Sequence, residues 1–282
     1  MNFCPIFLKL FNIKIVLALH SNLPWVFFNL MPGNIIRNFL TKKLMEFSIF
    51  VCDTLIVDSY FAKDEIANIL KIKKDKIKVI YLGIDKKYLS SECEKNFVKT
   101  FNYSEKYIIS VLSCVKYHNI LNLLKAFKIV INEINFNIKL VLILQILDKK
   151  YYEILKSYIV SNFEKDKVIT INNVESNELP NFYKYSQLYL FSSYCEVFGL
   201  TSLEAMAQGC PVLISNTSAL PEINNNASDY FDPDNTADIK NKIKKILIDE
   251  NYRSNLIKNG KEHIKKFTWQ DNVEKTLLII NS

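Results

Sequence analysis

Two carboxylates, Glu196 and Glu204, stand with seven residues between them in the segment SSYCEVFGLTSLEAMAQGCPVLISNTSALPEI (192–223). The sequence predicts that Glu196 follows a strand, in a loop, and that a helix begins near Leu200. Gly199 permits an unusual turn, or close approach of a ligand to the backbone. The first N–H groups of a helix lack internal partners and carry the positive end of its dipole, so this one offers a site for a diphosphate. Glu204, about one turn inside, is placed to accept hydrogen bonds from ribose hydroxyls, as acidic residues do in other nucleotide sites. Glu196, nearer the mouth, is placed to bind sugar hydroxyls.

The elements that must position these groups follow from hydrophobic period. Short apolar runs at 13–19, 54–57, 77–82, 107–113, 138–146, 167–171, 187–192 and 211–215 predict strands. Three- and four-residue spacing predicts helices at 35–52, 60–71, 119–134, 150–163, 200–208, 236–248, 251–265 and 269–280. Ser59 reads as the cap of the 60–71 helix. Repeated β-α-β spacing implies an α/β fold with doubly wound, mostly parallel sheets, whose ligands bind beyond the carboxyl ends of the strands.

Composition excludes several classes. The chain has 282 residues and only five glycines, none spaced for a dinucleotide fingerprint or a P-loop. Six cysteines, without a C-x-x-C pair, read as reduced and buried, and three scattered histidines give no metal spacing. His263 reads as a surface residue of a helix. Residues 15–36 lack charge but carry His20, Pro24, Pro32 and Gly33, which argues for a buried strand and loop, and against a spanning helix or a leader. The net charge is +7, and almost all of the excess falls in residues 1–99. That basic first third suits peripheral contact with anionic lipid or a phosphorylated acceptor. Nothing resembles a nucleic-acid-reading helix.

The 192–223 segment resembles the E-x7-E signature of retaining GT-B glycosyltransferases, specifically glycosyltransferase family 4. Ten positions carry the likeness: Glu196, Phe198, Gly199, Leu200, Glu204, Ala205, Ala207, Gly209, Pro211 and Val212. VIYLGID (79–85) resembles the family's interdomain segment, TLIVDSYFAKDEI (54–66) the strand and helix before it, and ISVLSCVKYHNILNLLKAF (109–127) the first strand and helix of the donor domain. Leu220, Pro221 and Glu222 fit the loop after a later strand. Phe267, Thr268 and Trp269 resemble the start of the last helix. Tyr183 falls in a helix that packs beneath the donor site.

The resemblance implies two Rossmann-like domains with the N-terminal one incomplete. The expected division is a partial acceptor-side domain at 1–85, a linker at 86–104, a donor domain at 105–265, and a helix at 266–282 crossing back. The family's N-terminal domain runs to roughly 150–180 residues, a typical domain size, so its front half is expected to be absent. The implied reaction moves a sugar from a nucleotide-diphosphate sugar, as substrate rather than cofactor, to a glycan or lipid-linked acceptor with retention, at the cytoplasmic side of the cell membrane. His20, at a strand end, resembles the family's cleft histidine. Cys114 or a neighbour takes the place of the family's phosphate-binding Arg. Lys116 or His118 must serve for its Lys, with Lys116 favoured as the point charge. The implied catalytic group is thus Glu196, His20 and Lys116. Donor binding falls to Glu204, Phe198, Gly199, Leu200, His118 and Asn172, with Asn173 beside it. A non-catalytic remnant that binds nucleotide sugar or a partner protein is the alternative, and a related epimerase a third reading.

Overall fold

A computed structural model of the chain describes residues 11–31, 33–90, 105–172 and 174–282. The first part carries β1 (Val16–Leu19), α1 (Leu23–Val26), α2 (Ile35–Val51), β2 (Thr54–Val57), α3 (Tyr60–Leu70), β3 (Ile77–Val79) and α4 (Lys86–Leu89). The second begins with β4 (Tyr107–Cys114), α5 (Ile120–Glu133), β5 (Lys139–Ile146), α6 (Lys149–Asn162) and β6 (Val168–Asn172). It continues through α7 (Leu179–Tyr185), β7 (Leu188–Phe191), α8 (Leu200–Ala207), β8 (Val212–Ser215), α9 (Leu220–Asn224) and β9 (Asp229–Phe231). It closes with α10 (Thr236–Ile248), α11 (Glu250–His263) and α12 (Trp269–Asn281).

Both sheets are parallel throughout. The first has the order β1-β2-β3 and the second β6-β5-β4-β7-β8-β9. Continuous apolar runs explain the central strands: KLVLILQI in β5 is buried on both faces from Leu140 to Leu144, as central parallel strands are. Helix α5 buries Ile120, Leu123, Leu124, Phe127 and Val130, the i, i+3, i+4, i+7 stripe of an amphipathic helix. Ser59 caps α3 by accepting from the Ala62 N–H at 3.0 Å. In the second sheet the chain winds outward from β4 to β6, then restarts at β7 on the other side of β4. The switch point therefore lies between β4 and β7, and a crevice opens beyond their carboxyl ends.

The two parts are fastened at several points. Glu222 of α9 accepts from the N–H groups of Tyr60 and Phe61 at the start of α3, at 2.8 and 2.7 Å, and from the Tyr81 hydroxyl at 2.9 Å. The Ile84 N–H donates to Phe267 O at 3.0 Å, Asn272 Nδ2 to Tyr81 O at 2.8 Å, and Lys14 Nζ to Ile279 O at 2.6 Å. Gly83 makes the crossing possible, because a Cβ there would lie 2.2 Å from the Trp269 nitrogen.

Several expectations change. The first strand starts at Val16 rather than at residue 13, and β9 was not expected at all. Part of the expected linker is helix α4, whose Tyr88 is buried against Tyr183. The rest of it, 91–104, lies outside the described residues. His263 is not a surface residue. It is buried, bonded through Nε2 to Ile223 O at 2.7 Å, and burial lowers its pKa. Helix α11 turns that face inward against α8 and the turn after α9. Cys114, Cys195 and Cys210 are buried free thiols, and Cys52 is buried with its Sγ donating to Ile49 O. No helix among the described residues is long and apolar enough to cross a membrane.

Candidate active site

A cavity of about 550 Å³ opens at the switch point, within the range of small-molecule sites. One wall belongs to the second sheet: Ser113 near the end of β4, Tyr117 and His118 after it, Gln145 near the end of β5, Phe191 at the end of β7, and Glu196, Val197, Gly199, Leu200 and Thr201 leading into α8. The opposite wall is the loop after β1, from His20 to Leu23. The two sheets thus share one cleft.

The loop between β7 and α8 is held from three sides. Ser192 Oγ donates to His118 O at 2.7 Å and the Tyr194 N–H to Tyr117 O at 2.8 Å. The Glu196 N–H donates to Ser218 Oγ at 2.9 Å, and the Ala219 N–H donates to Glu196 O at 3.2 Å. Gly199, at φ +84°, turns the chain into α8, a conformation that favours glycine. The start of α8, at Leu200 and Thr201, then faces the cavity. Those unpaired N–H groups and the helix dipole favour an anion there.

His118 is 7% exposed. Its Nδ1 lies 2.7 Å from Ser113 O, and its Nε2 lies 3.4 Å from Glu196 Oε1. A carbonyl only accepts, so Nδ1 carries a hydrogen and Nε2 is the atom turned to Glu196. Across the cleft, His20 Nδ1 lies 3.0 Å from both carboxylate oxygens of Asp58. The hydrogen bond to Asp58 raises the pKa of His20, partial burial opposes it, and the charge of Asp58 adds to the rise.

The sequence-derived set divides by position. His20, His118, Glu196, Gly199 and Leu200 meet around the cavity. Lys116 and Asn172 are exposed and do not line it, and Asn173 lies outside the described residues. Phe198 is buried, with its ring against Tyr81 and Phe267, at the junction of the two parts rather than in the cavity. Glu204 is 9% exposed and lies beneath the cavity floor, not on it. The Tyr183 hydroxyl donates to its Oε2 at 3.3 Å, and Tyr88 also bonds it. Burial pushes the Glu204 carboxyl up to about 7, and the Tyr183 bond and the Lys87 charge only partly offset this.

Sequence reasoning missed three groups. Asp58 precedes the Ser59 cap and drew no notice, although its side chain is the partner of His20. Asn22 is 1% exposed and lines the cavity. Its Oδ1 accepts from Cys195 Sγ at 3.4 Å, while its Nδ2 has no hydrogen-bond partner among the described residues. A buried donor of that kind costs free energy until a ligand oxygen meets it. Glu222 was noted only for its place in a loop, not as the clasp of α3. Nothing in a linear sequence marks a contact made across 160 residues.

The family model described as glycosyl transferases group 1 matches residues 91–263. The O-antigen chain mannosyltransferase RfbU of Salmonella typhimurium is 28% identical over 76% of this chain and 57% of its own length. An uncharacterised glycosyltransferase of Methanocaldococcus jannaschii, MJ1607, is 30% identical over 79% of this chain and 58% of its own. The chain therefore spans a little over half the length of these two relatives. Among solved structures, Anabaena HepE in complex with UDP and glucose superposes with a TM-score of 0.77 at 16% identity, covering 94% of this chain and 71% of that one. That likeness shows the fold, an α/β architecture of parallel sheets shared with GT-B glycosyltransferases.

Proposed function

The chain belongs to the glycosyl transferases group 1 family, and on that premise we propose that it moves a sugar from a nucleotide-diphosphate sugar to a glycan or lipid-linked acceptor, with retention at the anomeric carbon. The observation that carries this reading is the cavity itself. It brings Glu196, His118 and the start of α8 from one sheet to face His20 and Asn22 from the other.

In this reading the diphosphate lies at the N-terminus of α8. Negative charge develops on it as the sugar–phosphate bond breaks, and fixed dipoles aimed there favour the transition state. Glu196, held by Ser218 and Ala219, orients the sugar, and Asn22 Nδ2 supplies a donor to a sugar hydroxyl. The acceptor hydroxyl attacks from the face the leaving phosphate departs, and the phosphate oxygen takes its proton. Glu204 binds ribose only if its carboxylate turns from Tyr183 and Tyr88 toward the cavity. Of the two candidates for the family's phosphate-binding Lys, His118 lines the cavity and Lys116 stands outside its wall.

In this reading the acceptor side meets the inner face of the cell membrane. Helix α2 carries Arg37, Lys42 and Lys43 among exposed Phe39, Leu40, Phe47 and Phe50, a composition suited to an anionic lipid surface. Neutralising Lys42, Lys43, Lys71, Lys73 and Lys74 is expected to release the protein from anionic liposomes, and unchanged binding refutes that placement.

One observation favours a second reading, a nucleotide-sugar binder without transfer. Among the described residues, no Lys or Arg lines the cavity. A panel of UDP-, GDP- and ADP-sugars, the mannose donor among them, separates the two. A ligand at about 100 times its Kd stabilises the fold by about 2.7 kcal/mol. A thermal shift with donor turnover supports transfer. A shift without turnover supports the binder, and no shift with any sugar nucleotide refutes both.

A further inference from the structure

We propose that Asp58 is a positioning residue that keeps His20 an imidazolium aimed into the cavity, so that His20 Nε2–H supplies the positive charge that grips the donor's diphosphate. This rests on the reading of the cavity as a sugar-nucleotide site. It adds a residue that the reading does not otherwise use, and a proton that donor binding must carry with it.

The geometry has three parts. Asp58 directly follows β2 and is 1% exposed, so its carboxylate has lost its water. Such a charge is costly unless it is paired and hydrogen-bonded. Its side-chain partner is His20, with Nδ1 3.0 Å from each oxygen. A carboxylate only accepts, so Nδ1 carries a hydrogen. The ring is then fixed with Nε2 as its free atom, on a side chain that is 60% exposed and lines the cavity. Among the described residues the basic side chains on the cavity wall are two imidazoles, His20 and His118. His118 turns its Nε2 to Glu196, 3.4 Å from Oε1, so that nitrogen is already engaged. His20 has its anion behind it, on Nδ1, and its other nitrogen open to the cleft.

The charged groups around His20 are accounted for by element. Asp58, just after β2, touches it. Glu196 and His118 stand across the cleft, from the loop before α8 and the turn after β4. Glu65 of α3 acts on Cys195 of that same loop. The Asp58 contact dominates the raised pKa of His20. The sign follows directly. Charged His20 is present below its raised pKa, and donor affinity is lost as pH rises through it. The diphosphate diester of a sugar nucleotide has no proton to lose in this range, so the pH break belongs to the protein.

The test pairs two measurements on the whole chain. His20 is titrated by NMR, without ligand, in wild type and Asp58→Asn. Asn keeps an acceptor for Nδ1–H but removes the charge. The pKa of His20 is expected to fall by about one unit or more. Binding of the sugar nucleotide that gives the largest thermal shift is then measured across the same pH range. In wild type, affinity is expected to fall about tenfold per pH unit above the break, as one linked proton requires. In Asp58→Asn the break moves down with the NMR value, while binding well below it is unchanged. His20→Gln, at an exposed side chain, serves if Asp58→Asn does not fold, and is expected to lose this break altogether.

Three results overturn the proposal. One is an unmoved His20 titration in Asp58→Asn. Another is a binding break that stays in place while the NMR value moves. The last is a His20→Gln profile like that of wild type. If no sugar nucleotide binds at any pH, the donor reading fails and takes the role of the charge with it, while the NMR titration separately decides whether Asp58 charges His20.

Discussion

Replacing Glu204 by Gln removes a titrating group from a site where ionisation is costly. Burial raises the Glu204 carboxyl from 4.5 to about 7. At roughly 1.4 kcal/mol per pH unit, ionising it in the folded protein costs about 3 kcal/mol. The sign is that of a raised pKa. Below pH 4.5 the proton is bound in folded and unfolded chains alike. Between 4.5 and about 7 the unfolded carboxyl ionises while the folded one keeps its proton, so stability falls as pH rises. Above about 7 both are ionised and the loss is complete. Gln keeps an oxygen to accept from Tyr183 and Tyr88 and has nothing to titrate. His20 and Glu65 also have raised pKa values, so the informative quantity is wild type minus variant. Urea unfolding in pH steps from 4.5 to 8 is expected to show that difference falling by about 3 kcal/mol, with the wild type losing ground. Midpoints in thermal scans should diverge by roughly 6–12 °C, at about 2–4 °C per kcal/mol for a chain near this size. Parallel stability curves would refute the reasoning, because they would mean that Glu204 is ionised throughout and that its tyrosine and lysine neighbours fully replace the lost water.

Three further outcomes follow from the clasps and the turn. Gly83→Ala places a Cβ 2.2 Å from the Trp269 nitrogen, against backbone that cannot yield, and is expected to lower stability by about 2–3 kcal/mol or more in chemical denaturation. Glu222→Ala leaves the first N–H groups of α3 unpaired and frees Tyr81, with an expected loss of about 2–3 kcal/mol and wider scattering profiles if the two parts separate. Gly199→Ala forces an L side chain to φ +84° and against Leu220, with an expected loss of about 1–2 kcal/mol and a larger loss of sugar-nucleotide binding than of stability, read by thermal shift with and without ligand.

The alternation of strands and helices was legible because the second half states it plainly. YIISVLSC and KLVLILQI are apolar runs too short for helices, and α5 has a clean stripe. Strand β9 escaped because DYF is three residues long and follows a run of Asn and Ser that reads as loop. The 196–204 segment gave half of the site, since its glycine, helix start and carboxylates are local. The other half was opaque. Lys116 and His118 are two residues apart, and only the short helical turn after β4 decides that the lysine faces solvent and the histidine the cleft. His263 misled for the same reason, because α11 is polar overall and burial of one face depends on α8. Asp58 and Asn22 act through contacts that no spacing encodes.

The clasp between Ile84 and Phe267 also bears on how the protein is made. The strand-and-helix unit that ends near Ile84 leaves the ribosome first, while its covering helix, α12, emerges 183 residues later, counting from Ile84 to Phe267. At about 5–20 residues per second that delay is roughly 10–40 s. During that time Tyr81 O and Lys14 lack the partners that α12 will bring, and the apolar groove that Tyr81 shares with Phe267 stands open. The first part thus carries an open aromatic face until α12 emerges and closes it.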